Sequence, residues 1–212
     1  MTQATSENPL FDHHAHPRFD EVKPEHTTEA VPVLLEKAKK DFAEYEANIE
    51  PTFEGIFERQ RMLLEPLGFA WHITGHLMSV RNSDELRKVY EDLQPSVVEF
   101  FTSLGQSEAV YKALETLVAS DGWENFDPAK KRLVEKELLG MKLSGISLEG
   151  DAKARFNDIQ KELAELATGF SNAVLDSRKA YELIIENKAD VEGFPETLRQ
   201  MTAASAKANG HE

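Results

Sequence analysis

The sequence predicts an all-α protein, a multi-helix bundle with one short strand candidate near its C-terminus. Three observations predict it. From Asp151 to Ser177, apolar residues fall at Phe156, Ile159, Leu163, Leu166, Phe170 and Val174, in steps of three and four. Lys153, Asp158, Lys161, Glu162 and Glu165 lie between them, so the stretch carries one apolar stripe along an α-helix. Upstream segments repeat this stepping between helix-starting Pro, Ser, Thr and Asp residues. Only Tyr181–Glu186 departs from it, with β-branched residues and alternation at its ends. Because the stripe of 151–177 is nearly heptad-spaced, that stretch is expected to be the axis of the bundle, with neighbours lying almost parallel to it.

Residues 1–23 read as an extended arm: Pro9, then His13, His14 and His16, then Pro17 interrupt any periodicity. Leu10, Phe11, Phe19 and Val22 are its apolar anchors. Pro24 opens a first helix, with Glu25 and Glu29 toward its positive end, running to about Glu46. Val31, Leu34, Leu35, Ala38 and Phe42 make its face, and Pro32 is placed to bend it. Thr52 caps a second helix bearing Phe53, Ile56, Phe57 and Leu63 or Leu64. Pro66 and Gly68 are expected to interrupt it before a further segment, Phe69 to Val80.

Ser83 caps the next helix, whose face holds Leu86, Val89, Tyr90, Leu93, Val97, Phe100 and Leu104, with Pro95 as a kink. A shorter helix covers Glu108 to Ala119, and Asp127-Pro128 starts one that reaches Met141. Ser144-Gly145 and Glu149-Gly150 bracket a loop before the long stretch. The bundle therefore spans 24–180, followed by the strand candidate and a terminal helix from Pro195 to Ala208, within 181–212. A lone strand leaves its N–H and C=O groups without partners, and no second strand is predicted upstream. Two readings stay open: Tyr181–Glu186 is the tail of the long helix, or its mate lies in another chain or beyond Glu212.

With 212 residues and 41% hydrophobic content, the chain can bury a core. No apolar run approaches the ~18–20 residues that cross a bilayer, and no secretory signal opens the chain. Cysteine is absent, which excludes disulfides and thiolate metal sites and favours a cytoplasmic setting. A net charge of −14 argues against nucleic acid and against an anionic membrane surface as partners.

The most suggestive chemical feature is His72-Ile73-Thr74-Gly75-His76. Two histidines four apart share a helix face and can share a metal ion. The hydrolytic version needs a glutamate after the first histidine, where this chain has Ile73, and no third ligand is evident. The ordinary reading is a structural pair. His13, His14 and His16 also suggest metal, but nothing near them rigidifies ligands. Carboxylate pairs such as Glu162 and Glu165 belong to a solvated face. There is no glycine-rich phosphate loop, no nucleophile elbow and no cysteine nucleophile. The residues alone supply no catalytic constellation and no metal site.

The wording of four segments adds a resemblance. NPLFDHHAHPRFDEVKPEHTTEAV (Asn8–Val31), HLMSVRNSDELRKVYEDLQP (His76–Pro95), LSGISLEGDAKARFNDIQKELAELATGFSNAVLDS (Leu143–Ser177) and GFPETLRQMTAASAKANG (Gly193–Gly210) resemble, in register, the N-terminal region of the M3 family of zinc oligopeptidases, particularly its oligopeptidase A branch. The resemblance implies that the chain corresponds to roughly the first third of a family member. There, an N-terminal helical domain forms one wall of a deep channel, while an H-E-x-x-H helix and a downstream glutamate bind zinc in a later catalytic domain. None of those ligands has a matching position in Met1–Glu212, and His76 matches a family histidine in a different motif.

The expectation is therefore a channel-wall and substrate-access domain of a metalloendopeptidase that cleaves short peptides. This chain holds no catalytic residue and no cofactor of its own, the zinc belonging to the full-length enzyme. Its partner is a catalytic domain in cis or in trans, and Tyr181–Glu186 also offers a route to self-association. If any residues here touch substrate, His76, Arg81 and Asn82 are the candidates; the competing role for Asn82 is a helix cap. The rival function is a free-standing helical binding protein that pairs with a catalytic subunit.

Overall fold

The computed structural model describes residues 8–14 and 16–211. Seven α-helices are found among them: α1 (Pro24–Ala47), α2 (Arg59–Val80), α3 (Asp84–Leu104), α4 (Glu108–Val118), α5 (Pro128–Leu143), α6 (Gly150–Ala180) and α7 (Glu196–Ala208). Contacts divide the chain into two units, Met1–Gly169 and Phe170–Glu212.

The helix boundaries follow side-chain chemistry. Pro24 sits in the first turn of α1, where a missing N–H costs nothing. Ser83 Oγ accepts from the Leu86 amide at 3.2 Å, and Ser107 Oγ accepts from that of Val110 at 3.2 Å. Asp127 Oδ1 accepts from the amides of Ala129 and Lys130 at 2.9 and 3.0 Å. Each cap satisfies donors that a helix start leaves open. The α5–α6 connection turns at Gly145, whose φ of +82° disfavours any residue with a Cβ.

The core of the first unit lies between α1, α2 and α3, extended by α4 and α5. Val31, Leu34, Leu35, Ala38 and Phe42 of α1 are all buried, as their spacing predicts. They meet Leu67, Ala70, Ile73 and Leu77 of α2 and Leu86, Val97, Phe100 and Leu104 of α3. Phe42 and Phe100 make an edge-to-face pair at 6.4 Å. Thr27 and Thr74, both fully buried, hydrogen-bond across the α1–α2 contact at 3.1 Å, and Thr74 Oγ1 also donates to the Ala70 carbonyl at 2.9 Å. A buried hydroxyl needs such partners; together they fix the register of the two helices.

Four expectations need correction. First, the 151–177 stretch is helical, as α6, but it is not the axis of the bundle: α6 buries no residue, and Leu163, Leu166 and Phe170 are 54%, 62% and 73% exposed. Only the start of its stripe is partly covered: Phe156 and Ile159 are half-buried, and Phe156 faces the groove lined by Trp71, Val97 and Phe101. Second, Pro66 and Gly68 do not interrupt α2. Four residues before Pro66 stands Met62, an exposed residue, so the carbonyl that Pro66 cannot bond belongs to the exposed side of the helix, while burial of Leu67 and Ala70 just beyond offsets the ~3 kcal/mol cost of an internal proline. Third, the second helix does not begin as an α-helix. Thr52 Oγ1 accepts from the Gly55 amide at 2.9 Å, as a cap should, but Glu54–Glu58 then form a π-turn in which the Arg59 amide reaches the Glu54 carbonyl. Gly55 is required there, because a Cβ would lie 2.6 Å from the Glu50 carbonyl oxygen. Fourth, in the arm, Leu10 and Val22 are buried while Phe19 is 39% exposed.

The second unit holds the end of α6, a segment without regular secondary structure and α7. Tyr181–Glu186 is neither the tail of α6, which ends at Ala180, nor part of a β-ladder among the described residues. No backbone hydrogen bond joins residues 182–186 to another described residue. The segment is anchored by side chains: Glu182 accepts from Asn209 Nδ2 at 2.8 Å and lies 3.3 Å from His211 Nε2. Tyr181, Leu183 and Met201 are 71%, 71% and 65% exposed.

Candidate functional site

Two places in the first unit collect polar side chains. One is the end of α2, where the sequence placed its substrate-contact candidates. His76 is exposed and its ring lies 5.1 Å from that of Phe19. Arg81 Nη1 donates to the Asp20 carbonyl at 3.3 Å. These two residues therefore hold the arm at Phe19-Asp20. Asn82 Nδ2 donates to the Met78 carbonyl at 2.7 Å, closing the end of α2, while Asn82 Oδ1 accepts from Arg87 Nε at 2.6 Å. Asn82 thus has the capping contact expected of its structural role, at the C-terminus of α2 rather than the start of α3. The geometry brings all three residues together around one helix end, each with an intramolecular partner.

His72 and His76 both lie exposed on α2, with Ile73 buried between them. Among the described residues no three His, Asp or Glu side chains are grouped to hold a metal ion. The rings of His13 and His14 lie 3.9 Å apart, tilted by 42°, and no third ligand joins them among the described residues. Among the described residues no set of side chains fits a zinc centre.

The second place is an 820 Å³ hollow between the C-terminal half of α1 and the π-turn, which sequence reading missed. Asp41, Glu44, Glu50, Glu54 and Glu58 line it, with Arg59 the one cation among its lining residues. Lys37 pairs with Asp41, and Lys130 lies 3.6 Å from Glu54. At its floor Tyr45, only 6% exposed, donates to the Ile56 carbonyl at 3.1 Å. Burial, with a smaller contribution from the Glu46 carboxylate, pushes the Tyr45 phenol up to about 12. A tyrosine held so firmly protonated is a structural donor, not a base. The hollow presents negative potential to solvent and no nucleophile. The spacing of Glu50, Glu54 and Glu58 at four-residue intervals was the available signal.

Comparison with known proteins decides the family. Residues 31–153 match the family model for the neurolysin/thimet oligopeptidase N-terminal domain. The chain belongs to that family. Its matched part is the region that builds the α1–α5 core and enters α6. Relatives include the probable cytosolic oligopeptidase A of Arabidopsis thaliana, 34% identical over 98% of this chain, and the oligopeptidase A of Haemophilus influenzae, 34% identical over 96%. The oligopeptidase A of Escherichia coli is 32% identical over 97% of the chain. In each case the match covers 30% of the relative's length. No described helix is long and apolar enough to cross a membrane.

Proposed function

We propose that this chain acts as the N-terminal, channel-wall domain of a zinc-dependent oligopeptidase that cleaves short peptides. Catalysis would reside in sequence that this chain does not contain. The observation that carries the reading is the lopsided coverage: nearly the whole chain aligns, onto under a third of each oligopeptidase A relative. The exposed apolar residues Leu163, Leu166 and Phe170 support the division of labour. In this reading the helical wall admits extended peptides and excludes folded proteins by size, and zinc supplies a polarised water in the catalytic part. His76, Arg81 and Asn82 would stand at the wall's edge, holding the arm in place. A cytoplasmic setting fits the relative named as cytosolic, although a second Arabidopsis relative is named as organellar.

The test is a quenched-fluorescent peptide assay on the 212-residue chain with zinc supplied. No hydrolysis and no stoichiometric zinc are expected; zinc-dependent cleavage by this chain would overturn the reading. A second reading is favoured by one observation, the segment 182–186, whose Leu183, Ile184 and Ile185 are exposed and whose backbone makes no hydrogen bond to another described residue. Such a segment can pair with a copy of itself. Light scattering separates the two: a concentration-dependent dimer abolished by Ile184→Pro supports self-association, and a monomer at all concentrations removes it.

A further inference from the structure

The first half of α6 is attached to the bundle in a different way from every other long helix of its unit. Residues 150–169 include no buried side chain. Beyond the half-buried Phe156 and Ile159, what holds them is a pair of glutamines rooted in the bundle. Gln94 of α3, 7% exposed, donates through Nε2 to Thr168 Oγ1 at 2.9 Å and to the Ala164 carbonyl at 3.3 Å, and its Oε1 accepts from Thr168 Oγ1 at 3.2 Å. Gln106, also 7% exposed, donates to Asn157 Oδ1 at 2.8 Å and to the Ser144 carbonyl at 2.9 Å. The ion pair of Lys161 with Glu99, at 3.1 Å, lies between them on the surface. Along the same seam a 410 Å³ groove opens among Trp71, Val97, Phe101, Leu143 and Phe156. Protein interiors do not tolerate gaps of that size, so this seam is not part of the core. Few buried apolar contacts and an exposed backbone place a segment at the low end of local stability.

We propose that residues 150–169 are a strap that opens from the bundle as one piece, with Gln94–Thr168 and Gln106–Asn157 as its two catches. Opening hydrates both glutamines, which removes the penalty of leaving them unpaired, and lays the groove bare while α1–α5 stay folded. The catches are eleven residues apart along the helix, about three turns. A strap that moves as one piece must therefore respond along its whole length when either catch is cut.

The experiment is native-state amide hydrogen exchange, read by mass spectrometry on the 212-residue chain, with Thr168→Val and Asn157→Ala. Both changes lie on exposed or half-buried positions of α6 and leave the bundle interior intact. In the unmodified chain, amides of 153–168 should exchange at least about tenfold faster than those of Ala30–Leu35. Each substitution should accelerate exchange across all of 153–168 by about fivefold, and the two together by about twenty-five-fold, with α1 and α2 unchanged. Three outcomes would overturn the proposal: α6 exchanging only together with α1, acceleration confined to the turn that carries the substitution, or equal acceleration in α1.

Discussion

Helices α2 and α6 make an instructive pair. From sequence, α6 has the cleaner stripe, six apolar residues in helical steps, while α2 is broken by Pro66 and Gly68 and shows no tidy polar face. In the fold their ranks reverse: α2 buries Leu67, Ala70, Ile73, Thr74, Leu77 and Met78, and α6 buries nothing. The difference teaches what periodicity measures. A stripe shows that a helix has a face to cover, but the covering surface need not be in the same unit. A helix central to its unit is packed on several sides, so its pattern blurs.

The contrast can be broken most directly by matched substitutions. Leu67→Ala in the core of α2 should cost about 2–5 kcal/mol in urea denaturation, whereas Leu166→Ala on the stripe of α6 should stay within about 0.5 kcal/mol. Equal losses would mean that the stripe is covered after all. Next in size is the hydroxyl pair of α1 and α2. Thr74→Val should cost about 1–3 kcal/mol by stranding Thr27, and the double change Thr27→Val with Thr74→Val should recover part of it.

The third expectation concerns alkali. Tyr45 is protonated up to about 12 in the fold, above the unfolded value near 10. Its contribution is therefore complete below pH ~10 and lost as pH rises toward ~12; Tyr45→Phe should flatten that part of the stability profile. The smallest effect lies at the acid end. The amide of Lys130 first, with that of Ala129, holds the Asp127 carboxyl below its ordinary range. Its cap is present above the unfolded carboxylate range and fades as pH falls through the lower folded value. Asp127→Asn, which keeps an acceptor without a charge, should remove that acid-side dependence in a thermal melt.

Much of this architecture was legible because helix ends are local chemistry. Pro24, Ser83 and Asp127 each act within four residues, so the sequence displays both the cap and what it caps. The face of α1 was legible for a related reason: its apolar positions are regularly spaced and all are used. The role of α6 was not legible, because burial depends on what lies opposite, and no pattern within a helix reports that. The end of helix before Tyr181 could be read from the β-branched residues that follow, but the strand expected at 181–186 does not form among the described residues. At the candidate site, Asn82 was readable as a cap, but its association with the arm through His76 and Arg81 depends on a tertiary contact with Phe19-Asp20. The π-turn left no trace beyond Gly55.

That wide turn has a consequence for how the chain tolerates changes in length. A π-turn holds one residue more than an α-turn over the same arc. Losing a residue between Glu54 and Glu58 would let the turn tighten to ordinary helix while everything beyond kept its heading, so Thr74 would still face Thr27. Losing one anywhere between Arg59 and Thr74 would swing those side chains by about 100° about the axis. This helix can therefore be shortened by one position at a single address without dismantling the bundle.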